Sequence, residues 1–435
     1  MARKMKDSGI EWIGEIPEGW EIIPVKYLAK YNYATLAESC SPDFEFSYID
    51  IGSVTYTDGI TNYQNFKFKD APSRARRIVH SGDILVSTVR TYLRAVACVN
   101  EHRLPQIAST GFLVLQADTS KIHPHFLMYS VLSDNFICKV EANSVGISYP
   151  AINASQIVHF KLPIPQLSEQ FLLVTYLDRQ CSEIDALLSK NLSSIEDYKK
   201  LKQAVITQAV TKGVRGEREM KDSGNPWFGQ IPTDWKLSRV GLHFSIILGK
   251  MLCNAPLNDT YTLEPYYCAA DVHFDGVADG ERKKMWFSPI EKDLYRVSVG
   301  DLLVVEGGAG AGGSAIVENQ DSYTYIQNSI MIVRSKGNAD NRYLRYLLEF
   351  LVKQGYIDVV CNKATIPHFT KDKLSGVPFC LCPTGEQKEI ADYLDAKCAE
   401  IDKLIAKKEQ LVKELENYKK SLIFEYVTGK KELRR

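Results

Sequence analysis

Three short clusters in this 435-residue sequence have residue types that could carry chemistry. Gly308-x-Gly310-x-x-Gly313 matches a dinucleotide fingerprint, in which bare backbone lets a phosphate approach a helix N-terminus. That use requires a helix next, but Ser314-Ala315-Ile316-Val317 reads as a strand, so a glycine-rich hairpin is expected. Glu281-x-Lys283, with Asp271 or Asp279, has the composition of a nuclease carboxylate cluster, yet such triplets are common in solvated loops. His123-x-His125 flanks Pro124 and reads as a surface turn, one ligand pair being short of a metal site. No Ser/His/Asp or Cys/His grouping stands out. The ten cysteines include no CxxC pair, and Cys380 and Cys382 alternate along an apolar run as buried free thiols would.

Charge and hydropathy narrow the class. Lys plus Arg and Asp plus Glu number 53 each, which excludes a broadly basic nucleic-acid binder. Any such surface is local, or is completed by a partner chain. Neither an apolar leader nor a run of the ~18 apolar residues that a membrane span needs is visible. A cytoplasmic protein with reduced thiols and no membrane contact is the expectation.

The elements that must position any site come in duplicate. Lys6-Asp7-Ser8-Gly9, Trp12, Gly14, Ile16-Pro17 and Trp20 return as Lys221-Asp222-Ser223-Gly224, Trp227, Gly229, Ile231-Pro232 and Trp235, at a constant offset of 215 residues. Gly82-Asp83-Ile84-Leu85-Val86 returns as Gly300-Asp301-Leu302-Leu303-Val304. Glu169-Gln170, Leu177-Asp178, Ile184-Asp185 and Val210-Thr211 return as Glu386-Gln387, Leu394-Asp395, Ile401-Asp402 and Val427-Thr428, now at an offset of 217. The drift places short insertions in loops of the second copy.

Each copy is a mixed globular part followed by a helical one: 1–165 and 166–213, then 214–381 and 382–435. The globular parts read as α+β, each with one irregular sheet and one helical patch, around His125–Val140 and Arg342–Val352. The helical parts carry a heptad-like seam: Leu177, Cys181, Ile184, Leu188, Ile195, Tyr198, Leu201, Val205 and Ala209, matched by Leu394, Cys398, Ile401, Ile405, Val412, Leu415, Tyr418, Leu422 and Tyr426. Two long antiparallel coiled-coil helices, separating two globular parts in a pseudo-twofold repeat, are expected. A helix of ~45 residues spans about 65–70 Å.

The repeat also decides a fourth cluster. Asn225-Pro226-Trp227-Phe228 is similar to the Asn-Pro-Pro-aromatic signature of amino-methyltransferases, with Glu306-Gly307-Gly308-Ala309-Gly310 as a candidate cofactor loop. Trp227 is, however, the repeat partner of Trp12, and the first copy has Ile10-Glu11 where Asn225-Pro226 stands. A framework role is expected. A stand-alone DNA amino-methyltransferase is one alternative, and a helical scaffold that binds no DNA is another.

The order globular part, long helix, globular part, long helix, with Trp12-x-Gly14-x-Ile16-Pro17-x-x-Trp20, the two Gly-Asp strands and Leu162-Pro163-Ile164-Pro165-x-x-x-x-Glu169-Gln170, resembles the specificity subunits of Type I restriction–modification systems over essentially the whole chain. The resemblance implies two target-recognition domains, each reading half of a split DNA sequence. It implies helices that set the unread gap and dock two methylating subunits, with two motor-nuclease subunits completing the complex. It implies no catalytic site and no cofactor on this chain, S-adenosylmethionine, ATP and Mg belonging to the partners.

Given that reading, contacts to double-stranded DNA are sought among Lys and Arg, which meet phosphates and guanine edges. Arg74, Arg76 and Arg77 precede the first Gly-Asp strand, and Arg90 and Arg94 follow it. Arg282, Lys283 and Lys284 precede the second, where the glycine loop with Ser314 stands in place of the later arginines.

Overall fold

The computed structural model describes residues 3–319, 323–361 and 367–433. The chain forms two compact units, Met1–Leu192 with Gln410–Arg435, and Ser193–Glu409.

In the first unit, strands Val96–Cys98, Ile84–Ser87, Phe112–Ala117 and Ala29–Tyr31 lie side by side in that order, all antiparallel. A second sheet orders Gln64–Lys67, Glu45–Ile49, Gln106–Ser109 and Ala75–Val79, its middle pair parallel. The second unit repeats the plan. Ser314–Ile316, Leu302–Val305, Ile330–Ser335 and Phe244–Leu248 form the antiparallel sheet. Lys283–Phe287, Thr262–Tyr267 and Tyr325–Ile326 form the other, with its last pair again parallel.

The one irregular sheet expected per copy is thus two main sheets with two-stranded ribbons beside them, and the unbroken apolar runs show why. Ile84, Val86, Leu113 and Leu115 join the core shared with the helices. Leu85, Phe112 and Val114 join a second core with Ile49, Val79 and Ala108 of the other sheet. Leu302 and Val304 against Leu303 and Val305 divide in the same way. Strands buried on both faces lose the polar alternation that would tell one face from the other.

The repeated motifs are framework. Gly82 and Gly300 turn at φ +89° and +87°, open to glycine at no steric cost. The carboxylates that follow them accept backbone N–H groups of His80 and Ser298 at 2.8 Å. Trp20 donates its indole N–H to Glu169 at 3.2 Å, and Trp235 donates to Glu386 at 3.3 Å. Gln170 takes the His123 N–H and gives its amide to Lys121 and Pro165 carbonyls. Gln387 does the same between Asp340 and Cys382. Glu-Gln therefore fastens the start of each long helix under its own globular part.

The long helices run Leu167–Lys212 and Thr384–Val427, 46 and 44 residues. In the first unit Tyr176 meets Tyr426 with ring centroids 4.7 Å apart, and Lys419 donates to both oxygens of Asp185 at 2.6 and 2.8 Å. In the second, Lys202 reaches both oxygens of Asp402 at 2.8 Å. In the first unit numbering rises on one helix as it falls on the other, and in the second Lys202–Asp402 is followed by Arg215–Glu389, so the packing is antiparallel in each unit. Past the helix ends, Gly429 sits against Trp20 and Gly213 against Trp235.

Leu177, Ile184, Leu188, Ile195, Leu394 and Ile401 are buried, and Ile405 and Leu415 half-buried. Leu201 and Tyr418, equivalent in the repeat, are instead exposed. A 3.6-residue helix drifts against a 3.5-residue seam, and the stems of the neighbouring Lys202 and Lys419 cover the contact there.

Candidate nucleic-acid interface

The basic residues singled out above separate into outward-facing groups and groups tied into the fold. Arg76 and Arg77 lie on Ala75–Val79, the edge strand of its sheet, with exposed Arg74 just before it. The Arg76 guanidinium lies 5.2 Å from the Phe68 ring centroid and donates through one terminal nitrogen to the Ala75 carbonyl at 2.9 Å, contacts that orient it. Arg77 is half-buried, and burial pulls its guanidinium below the ordinary range.

Arg90 is exposed and left-handed at φ +50°. Its guanidinium lies 5.0 Å from the Tyr149 ring centroid, and its backbone N–H donates to Pro150 O at 2.7 Å. Backbone bonds Thr110 N to Arg74 O, Thr88 N to Gly111 O and Ile152 N to Thr88 O, each 2.8–2.9 Å, join these segments into one rim at the strand ends. Gly111 in that rim is packed under Ile51, whose Cδ1 would have to move to admit a Cβ.

Arg94 is tied into the fold. It bonds Glu141 at 3.0 Å and also Asp134. Although burial opposes it, the bonds to those two carboxylates hold the guanidinium above its ordinary range.

In the second unit Lys283 and Lys284 are exposed on Lys283–Phe287, and inward Met285 and Phe287 of that strand are buried. Arg282 bonds Asp271 at 3.1 Å and the Ala278 carbonyl, under the Tyr267 ring. Ser314 is fully buried within a strand, its Oγ without a hydrogen-bond partner among the described residues. The structure thus brings Arg74, Arg76 and Arg90 to one rim, sets Arg77 half-buried behind them with its Nε enclosed, leaves Lys283 and Lys284 outward, and keeps Arg94, Arg282 and Ser314 in internal contacts.

The glycine run closes a hairpin between Leu302–Val305 and Ser314–Ile316, with Val305 N donating to Gly313 O, and no helix follows. A Cβ on Gly312 would lie 2.9 Å from Ile357 and Val352 side-chain atoms, so packing accounts for it. The Asn225 side-chain oxygen accepts the Trp227 N–H at 3.0 Å, a local turn that occupies the group a target amine would need. Equivalent turns at Ser8 and Ser223 confirm the framework reading. Among the described residues no group of three or more His, Cys, Asp and Glu side chains could hold a metal ion, and no helix is long and apolar enough to cross a membrane.

Sequence reasoning missed the hairpin joined to Arg90. Val145 and Ala151 exchange both backbone hydrogen bonds, and Val145, Ile147 and Tyr149 between them project into solvent. The signal was available: apolar residues interleaved with Gly146 and Ser148 just before Pro150, where no core-forming period continues.

Comparison with known proteins agrees with this architecture. The family described as Type I restriction modification DNA specificity domain matches residues 17–197 and again 233–416. A Methanocaldococcus jannaschii chain, provisionally named the type I restriction enzyme MjaX specificity subunit, is 27% identical over 96% of this chain and 95% of its own length. The type I restriction enzyme StySPI specificity subunit of Salmonella potsdam is 22% identical over 89% and 84%. A solved chain from work on complex assembly and conformational transition of the type I R-M system superposes with TM-score 0.75 at 24% identity, covering 95% of this chain and 99% of that one. The HsdS subunit from Thermoanaerobacter tengcongensis superposes at 0.52 and 23%, covering 95% and 98%. With two copies of the family domain matched across most of its length, and its duplicated motifs serving as framework, the chain belongs to the specificity subunits of Type I restriction–modification systems, the non-catalytic component that carries DNA specificity.

Proposed function

We propose that residues 1–165 and 214–381 each read one half of a split, asymmetric DNA target. Helical segments 166–213 and 382–435 set the number of unread base pairs and dock two methylating subunits. Two motor-nuclease subunits join for restriction, in the cytoplasm. S-adenosylmethionine, ATP and Mg act on those partners, as is general in the family. The observation that carries the reading is one framework used twice under different rims: Arg74, Arg76 and Arg90, with Arg77 behind them, in the first copy, Lys283 and Lys284 in the second. Shared framework gives both copies the same footing, while unlike rims let each read different bases. Arg94 and Arg282 act as positioning residues for their loops, and Ser314 reaches DNA only if its strand opens.

Methylome sequencing of cells carrying this chain with its partners tests the proposal. A bipartite motif with a fixed gap is expected, and a continuous motif would end it. Arg76→Ala should weaken modification only where the first half-site is intact, and Lys283→Ala only where the second is. Uniform loss across all sequences, with a shallower salt dependence, would make both residues phosphate contacts that read nothing.

A further inference from the structure

We infer that the hairpin Val145–Ala151 is an apolar wedge that enters DNA between two adjacent base pairs of the first half-site, with Arg90 on the flanking phosphate. This rests on the proposal that residues 1–165 read DNA. Val145 is 81% exposed, Ile147 fully exposed and Tyr149 66% exposed, and neighbouring Tyr92 is 55% exposed. Water is a poor permanent partner for such a tip, and Ile is among the side chains that unstack base steps. Narrow neighbours, Gly146 and Ser148, let the tip protrude, and Gly146 turns at φ +116°.

The tip is braced, which an idle loop would not be. Val145 and Ala151 pair at 2.8 and 3.0 Å, Arg90 N holds Pro150 O, and Thr91 Oγ1 donates to Ser144 Oγ at 2.9 Å. Bracing limits the entropy lost on insertion. Charge favours DNA as the occupant. Arg90 lies over Tyr149, and Arg94 engages Asp134 and Glu141, carboxylates of the helix Asp134–Ala142 that leads into the hairpin, which would otherwise repel a phosphate.

The test uses the full methylating complex on duplexes carrying 2-aminopurine at successive positions of the first half-site. One step should brighten severalfold on binding. Ile147→Ser with Tyr149→Ser should abolish that signal and weaken first-half-site recognition about tenfold or more. Second-half-site discrimination should be untouched. Brightening from extrusion of the methylated base by the partner subunit should persist, showing that the variant complex is assembled. A first half-site with no tip-dependent brightening overturns the wedge. So does a variant that no longer sediments with the methylating subunits, because the tip would then be a protein-docking surface. A wild-type complex indifferent to substitutions in the first half-site would instead remove the underlying reader.

Discussion

Replacing Lys419 with Met probes the helix pair at one point. The Lys419 side chain is 13% exposed and both its bonds end on Asp185, itself 45% exposed. Met keeps most of the stem packing and removes only the ammonium. A hydrogen bond between charged groups contributes about 1.5–3 kcal/mol, and water reaching the half-exposed carboxylate recovers part of that. The expected loss is about 1–1.5 kcal/mol, close to a tenfold rise in local opening. Hydrogen–deuterium exchange reads it directly. Amides of 173–190 and 412–427 should exchange faster, while 195–210 and 388–405 should not. Asp185→Asn should cost a similar amount, and the double variant little more than either single, giving a coupling of about 1 kcal/mol. Lys202→Met and Asp402→Asn should reproduce the pattern in the second unit. Strictly additive single effects would refute the argument, because they would mean that the ion pair contributes nothing and that backbone and apolar packing hold the helices.

Trp20→Ala should cost about 3–5 kcal/mol in thermal or denaturant unfolding of the first unit. Trp20→Phe, which gives up the Glu169 bond but keeps an aromatic ring, should cost far less. Gly82→Ala and Gly300→Ala should each lose about 1–2 kcal/mol from backbone strain alone, since an added Cβ meets nothing within 4 Å; an unchanged midpoint would refute the turn argument. Burial pushes the Cys181 thiol up to about 11 and the Cys380 thiol up to about 12. At pH 8 iodoacetamide should therefore label exposed Cys138 first, and Cys181 labelling should rise with each pH unit as its thiolate fraction grows. Fast labelling of Cys181 or Cys380 at pH 8 would show that those cores open.

Much of the fold was legible because the chain states it twice. Trp20 and Trp235, or Glu169 and Glu386, are conspicuous only in register with each other, and each pair proves to be one hydrogen bond made twice. Helix extents followed from the apolar period and from Pro165 and Pro383 ahead of them. Sheet topology did not follow, because Ile84-Leu85-Val86 is apolar on both faces and names neither neighbour. The candidate interface was legible only as residue type. Charge density marked Arg90 and Arg94 alike, but whether a guanidinium meets solvent or Asp134 and Glu141 depends on a helix 40 residues onward. The Val145–Tyr149 tip was marked in the sequence only by its break with any core-forming period, and its exposure follows from packing.

The salt links on the long helices have a further consequence. Asp185 with Lys419 and Lys202 with Asp402 are a single bond type with donor and acceptor traded between the helices. Such self-complementarity is the signature of an isologous dimer joined into one polypeptide. A front half from one such protein and a back half from another would mesh wherever each supplied its own aspartate and lysine. New pairings of binding specificities could then arise by shuffling halves, with the joint itself left as it was.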